Sequence, residues 1–200
     1  MTRTVPIEAG KRYHVYNRGA FRQTIFRDDE DYLRFLNLTR KYLRGPVRLL
    51  AYAVLANHFH LYVEVDEEAQ LEEFYRTKPA AISKTIGHMS TAYAKYFRYK
   101  YKSQGQGAVF QGRFKRRVVS DIGYARNLIH YIHRNPANHG FASEPEDYPF
   151  TSLQEALNPQ LESYGDREKI FTTFGGEHAF HRSWKRTRLL GSATDKWEDE

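Results

Sequence analysis

The decapeptide ANHFHLYVEV, residues 56–65, puts two imidazoles, His58 and His60, on one side of a segment that alternates like a β-strand. In a strand residues i and i+2 point the same way, about 7 Å apart, so both rings could reach a single ion or phosphate. Phe59, Leu61, Val63 and Val65 form the other side, a clean core set, so the histidines share their face with Tyr62 and Glu64. Alone, a His-x-His pair more commonly belongs to a half-exposed, hydrogen-bonded sheet face than to a metal. A third ligand would change that reading.

A candidate third ligand stands in RNLIHYIHRNPANHG, residues 126–140. A helix is expected from Asp121, which can cap it, to about Arg134, where Asn135-Pro136 ends it or begins to break it. Ile122, Ala125, Ile129 and Ile132 form its core stripe. At ~100° per residue Tyr131 lies roughly 130° from the centre of that stripe, so an ordinary buried tyrosine is not expected there. Asn135 follows four residues on, one turn along the same face. If this helix packs beside the histidine strand, Tyr131 and Asn135 meet His58 and His60. Two imidazoles, an amide oxygen and waters could then hold Mg²⁺ or Mn²⁺ with positions open to a phosphate. Taken separately, Tyr131 could cap the edge of the core and Asn135 could simply terminate the helix. His130 and His133 flank Tyr131 instead of sharing its face and are not expected to take its proton. His178 and His181 form a competing pair without a third ligand.

The elements that must position these residues are legible in outline. KRYHVYNRG (11–19) and VRLLAYAVLA (47–56) read as strands, the second buried on both faces. DDEDYLRFLNLTRKYLRG (28–45) reads as a helix with Asp28 as N-cap and Gly45-Pro46 as its stop. A second helix is expected from 79 to about 102, its far end basic through Lys95, Arg98, Lys100 and Lys102. SQGQGAVFQG (103–112) is a loop and RFKRRVVS (113–120) a basic strand. The resulting order, β-α-β-β-α-β-α, predicts an α+β fold with a ferredoxin-like βαββαβ core, an antiparallel sheet and a C-terminal helix carrying the tyrosine. After residue 140 the chain reads as loop-rich, with weak helical stretches near 151–157 and 165–171, and TDKWEDE (194–200) is expected to be disordered.

Composition narrows the partner. A formal charge of +7, with 15 tyrosines and 13 phenylalanines, tilts towards a polyanion with stackable bases. The absence of cysteine excludes disulfides and thiolate metal sites and suits a reducing cytosol. No long apolar run marks a signal peptide or membrane span, so a cytoplasmic, nucleoid-associated protein of prokaryotic type is expected.

Five segments then fall in one order: YHVYNRG (13–19), AYAVLANHFHL (51–61), VFQGRFKRRVV (109–119), YIHRNP (131–136) and YPFTS (148–152). Together, over about residues 10 to 152, they resemble the single-tyrosine H-U-H transposases, U being a hydrophobic residue, and most nearly their REP-associated tyrosine transposase branch. Insertion-sequence members usually carry Gln where this chain has Asn135, and the usual Met-Pro before the histidine motif reads Leu55-Ala56 here. The resemblance implies a transposase-type domain over 1–152 with an extension over 153–200. It implies His58, His60 and Asn135 as metal ligands and Tyr131 as nucleophile in a metal-dependent DNA strand transferase.

The implied chemistry is self-consistent. A tyrosine, pKa about 10, is a poor nucleophile at neutral pH. A divalent ion polarising the phosphate offsets the charge that builds during in-line attack. The products are a 5′-phosphotyrosine and a free 3′-OH. That bond conserves the phosphodiester's energy, and no nucleotide-binding G-x-x-x-x-G-K is present. The DNA should be single-stranded or a hairpin with unpaired flanks, bound by a monomer or homodimer. Phosphate contacts are expected from Arg12, Arg18, Arg22, Lys95, Arg98, Arg113, Lys115, Arg116 and Arg117. RFKRR could equally be a solvated edge strand whose charges deter aggregation. Tyr13, Tyr16, Phe110 and Phe114 are candidates for stacking, although aromatics in alternating strands usually join the core. Two rival functions remain: a basic nucleic-acid-binding module without chemistry, and a metal-dependent hydrolase that uses water as nucleophile.

Overall fold

A computed structural model describes residues 6–78, 80–103 and 107–190. Four alternating or apolar segments pair as strands: β1 (Arg12–Arg18), β2 (Val47–Leu55), β3 (His58–Val65) and β4 (Lys115–Val119). They form one antiparallel sheet in the order β2-β3-β1-β4. Helix α1 (Asp29–Leu43) follows β1, and the short α2 (Glu73–Thr77) and long α3 (Ala80–Lys100) follow β3. This is the ferredoxin-like arrangement the segment order predicts. Asp28 caps α1 by accepting from the Asp31 amide at 3.1 Å, and Gly45 ends the turn beyond it with φ +111°.

The sheet is buried on both faces. One face packs Tyr13, Val15, Val54, Phe59, Leu61 and Val63 against α1 and α3 through Phe35, Ile86, Met89 and Tyr93. The other packs Ala51, Ala53, Leu55 and Tyr62 against α4 (Ile122–Asn138). Behind α4 lie α5 (Ser152–Leu157), α6 (Arg167–Phe174) and α7 (Glu177–Leu190). The alternation of β3 reveals only the Phe59 layer; the later helices supply a second layer over the histidine face.

Three expectations are corrected. Helix α4 does not stop at residue 134 but runs through Pro136 to Asn138. A proline in the last turn forfeits one backbone donor and leaves the remaining bonds in place, such as His139 N to Asn135 O at 3.1 Å. Ile122, assigned to the core stripe, is exposed at the first turn. Helix α7 was not expected at all: Gly175-Gly176 reads as loop, and its buried anchors Phe180 and Trp184 sit among charged residues. Residues 104–106 and the TDKWEDE tail, expected to be loop and disordered, lie outside the described residues.

At the end of the sheet where β1 stops and β3 begins, the chain makes a compact corner. The Gly19 amide donates to Asn57 O at 2.7 Å, and the Ile25 and Phe26 amides both donate to Ala56 O at 2.8 and 2.9 Å. A Cβ at Gly19 would lie 2.2 Å from Gln23 O, so only glycine fits there. The segment 19–26 is thereby tied to the two-residue turn that directly precedes His58.

Candidate functional site

Register brings the histidines together with a residue the sequence did not single out. His60 pairs with Tyr16, Tyr62 with His14 and His58 with Arg18 across β1 and β3. His14 and His60 are diagonal neighbours on one face, and His14 Nε2 lies 2.9 Å from His60 Nδ1 with the rings stacked. Burial holds both rings neutral: it pushes His14 down to about 3, with Arg117 adding to the effect, and His60 well below the usual range. His60 Nε2 is buried without a hydrogen-bond partner.

Helix α4 delivers the other two residues. The Tyr131 ring meets His60 edge-on at 5.3 Å and His14 at 6.1 Å between centroids. Contrary to the helical-wheel expectation, Tyr131 is only 2 % exposed. The reason is that α4 is packed on two sides: Tyr131 faces the sheet, while Trp184 of α7 lies against both His130 and His133. Those two histidines donate to or accept from Ser183 and Ser152, each at 2.8 Å, and stay on the far side from the phenol. Because the helix continues through Pro136, Asn135 keeps its place one turn below Tyr131, with Oδ1 2.9 Å from His58 Nε2. His58 Nδ1 lies 2.6 Å from Asn57 Oδ1, and the His139 ring stands 5.0 Å from that of His58.

The donor chemistry suits a divalent cation. If Nδ1 of neutral His58 carries the proton towards Asn57, its Nε2 lone pair faces the Asn135 oxygen, two acceptors in contact. A cation between them converts that opposition into coordination. Adjacent ligands of an octahedral ion at about 2.1 Å stand about 3 Å apart, matching the 2.9 Å observed. Should His60 Nδ1 donate to His14, the unpartnered Nε2 of His60 presents a lone pair as well. Among the described residues, no three His, Cys, Asp or Glu side chains form a metal-binding group, so a three-ligand set here would have to include the amide oxygen of Asn135. Two nitrogens and one amide oxygen suit Mn²⁺ better than Mg²⁺, which favours all-oxygen sites.

The nine basic residues divide by location. Arg18 lies opposite His58, and Lys115 and Arg117 lie opposite Tyr16 and His14 on the histidine face. Arg22 and Arg113 are exposed on loops that flank the same end of the sheet. Arg98 donates to Gly107 O at 3.0 Å and so borders that corner from α3, with Lys95 exposed one turn earlier. Arg12 is at the opposite end of β1, paired with Glu64 at 2.8 Å. Arg116 turns to the other face and donates to Ser83 at 2.9 Å. β4 forms an edge of the sheet, as the solvated-edge reading required. Of the aromatic candidates, Tyr13 and Phe110 are core residues. His178 and His181 lie on α7, where His181 is 3.6 Å from Glu177. Among the described residues no helix is long and apolar enough to cross a membrane.

The fold defined by this sheet and these helices is similar to that of a solved REP-associated tyrosine transposase. A solved structure of such a transposase, bound to a REP hairpin, superposes with a TM-score of 0.58, covering 84 % of this chain and 92 % of the other at 20 % identity. In sequence, the chain is 24 % identical over 119 residues to a protein of Haemophilus influenzae that carries the name REP-associated tyrosine transposase. The match takes in 58 % of this chain and 64 % of that relative's length. The resemblance carried by the five segments thus holds in both sequence and fold. A bacterial tRNA(His) guanylyltransferase-like protein, solved with GTP, gives a TM-score of 0.47 at 12 % identity over 79 % of this chain and 73 % of that one, too loose to weigh. No protein-family model matches the chain.

Proposed function

We propose that this chain is a metal-dependent single-stranded DNA endonuclease and strand transferase of the REP-associated transposase type, acting at hairpin DNA. The observation that carries the reading is the joint placement of Tyr131 against His60 and of Asn135 against His58. The fold likeness to a transposase solved with a REP hairpin supports the choice of substrate. His58, His60 and Asn135 would hold Mn²⁺ or Mg²⁺, which when bound polarises the scissile phosphate and neutralises charge on its oxygens. Tyr131 Oη attacks phosphorus, the bond to the 3′ oxygen breaks, and a 5′-phosphotyrosine forms. The phenol loses its proton and the departing 3′ oxygen gains one. The reverse attack by a 3′-OH reseals the strand without a nucleotide cofactor.

Within this reading residues 1–152 carry the chemistry, and 153–200 form an extension whose helices α6 and α7 brace the back of α4. Arg18, Lys115 and Arg117 flank the phosphate path most directly, with Arg22, Arg98 and Arg113 beside it. The proposed protein acts as a monomer or homodimer in a cytoplasmic, nucleoid-associated setting.

A covalent-trapping assay tests the reading. Labelled hairpins with unpaired flanks, incubated with Mn²⁺, should yield a denaturation-resistant protein–DNA adduct. Tyr131→Phe should abolish adduct and cleavage while retaining binding. Cleavage without adduct would support the water-dependent hydrolase, and binding alone would support the non-catalytic module. An adduct that persists in Tyr131→Phe would show the nucleophile to be another residue.

A further inference from the structure

We infer that Phe21 is a fixed stacking platform for an unpaired base, set at the edge of the candidate site and built into a strained loop. The inference rests on the proposed function and adds to it a residue that selects for unpaired DNA. Phe21 is 99 % exposed. A singly exposed apolar side chain is ordinary on its own. This one is held at φ +53°, and its neighbour Arg22 at φ +59°, in a region that residues with a Cβ avoid. Two successive left-handed non-glycine residues persist only where the surroundings over-determine them, and such strain gathers at functional sites.

The surroundings do over-determine them. The Ala20 amide donates to Val109 O at 2.9 Å, and Gln23 Nε2 donates to Ala108 O and Val109 O, both at 3.1 Å. The Gln23 amide returns to Ala20 O at 3.0 Å, closing the turn that carries Phe21 at its tip. Gly19 bridges to Phe110 and to Asn57, and Ile25 and Phe26 anchor the far side on Ala56. The ring is therefore presented to solvent by a clamped backbone. A platform ordered in advance loses little entropy when a base settles on it.

Position and charge identify the occupant. Asn57, to which the loop is tied, immediately precedes His58, and Arg18, at the end of the strand entering the loop, pairs with His58. Arg22 is exposed beside the ring, and Gln23 and Thr24 follow it as exposed polar residues. A protein partner would need a contiguous apolar patch. One exposed ring followed in sequence by the exposed cation Arg22 instead suits one base face and an adjoining phosphate. Base-paired DNA offers no free face, so the platform favours a strand with unpaired nucleotides beside the reacting phosphate.

The experiment uses the full chain and a fluorescein-labelled oligo(dT) strand, with a blunt duplex as comparison. Phe21→Ala should weaken oligo(dT) binding by about tenfold, leave duplex binding and thermal stability unchanged, and keep the wild-type salt dependence. Phe21→Trp should retain affinity, and its added emission should be quenched on saturation with oligo(dT). Arg22→Ala provides the contrast, losing affinity together with a shallower salt slope. Unchanged oligo(dT) binding in Phe21→Ala overturns the inference, as does a Phe21→Trp variant whose emission ignores the DNA. Equal losses for oligo(dT) and duplex overturn it too. Absence of any DNA binding or adduct by the wild-type chain would instead remove the proposed function itself.

Discussion

In the proposed site, His14 would act on the ligand set from outside it. Its Nε2 sits 2.9 Å from His60 Nδ1, and the two rings stack beside the edge of Tyr131. If His60 Nδ1 donates to it, His14 would fix the tautomer that leaves His60 Nε2 able to bind a cation. Replacing His14 with Phe keeps the ring and removes the acceptor. Mn²⁺ affinity, followed by electron paramagnetic resonance titration, should fall about 10- to 100-fold, with the fold intact by circular dichroism. Unaltered Mn²⁺ affinity would exclude this role. At this scale the site was partly legible. His58 and His60 are two apart in a strand, and Tyr131 and Asn135 four apart in a helix, so local periodicity alone puts each pair on one face. His14 was not legible, because its partner is chosen by the long-range register between β1 and β3. Nor was Phe21, since nothing in Gly-Ala-Phe-Arg announces a left-handed turn at two non-glycine residues.

Helix α4 is the element on which the site depends. Asp121 caps it, accepting from the Tyr124 amide at 2.8 Å. Asp121→Ala should lower stability, read as a lower midpoint of urea unfolding. Adduct formation should survive, because the loss frays the first turn while Tyr131 lies near the other end. A loss of chemistry without a loss of stability would show that the cap serves the site. The sequence foretold this helix, α1, α3 and the four strands, because their periodicities are clean and their caps explicit. It misjudged the end of α4, where Asn-Pro is a statistical stop that packing overrides in the final turn. It missed α7 because an amphipathic helix with only an i, i+4 aromatic pair among charges looks like surface loop until the groove that receives Phe180 and Trp184 is known.

For the molecule as a whole, buried imidazoles set a limit on acid tolerance. Burial lowers His130 to about 4 and His133 to about 3, whereas both return to about 6.5 on unfolding. The unfolded chain thus binds more protons below neutrality. The stability these neutral rings contribute is complete above about pH 6.5 and is lost as pH falls towards the folded values. Between pH 7 and pH 5 each should cost about 2 kcal/mol of unfolding free energy, and the buried His14 and His60 should add losses of the same sign. Urea titrations at the two pH values measure this, and His130→Gln should flatten the dependence. A +7 chain should also bind DNA more weakly as salt rises.

The corner at Ala56 and Asn57 leaves the loop and the ligand histidine sharing one piece of backbone. If a base stacks on Phe21 and a cation binds between His58 and Asn135 as proposed, the two events share the backbone at Ala56 and Asn57. If both bind as proposed, linkage requires that any factor by which DNA changes the affinity for Mn²⁺ equals the factor by which Mn²⁺ changes the affinity for DNA. Trimming Phe21 to alanine should therefore cut both factors equally, making an aromatic ring outside the coordination sphere a determinant of cation affinity.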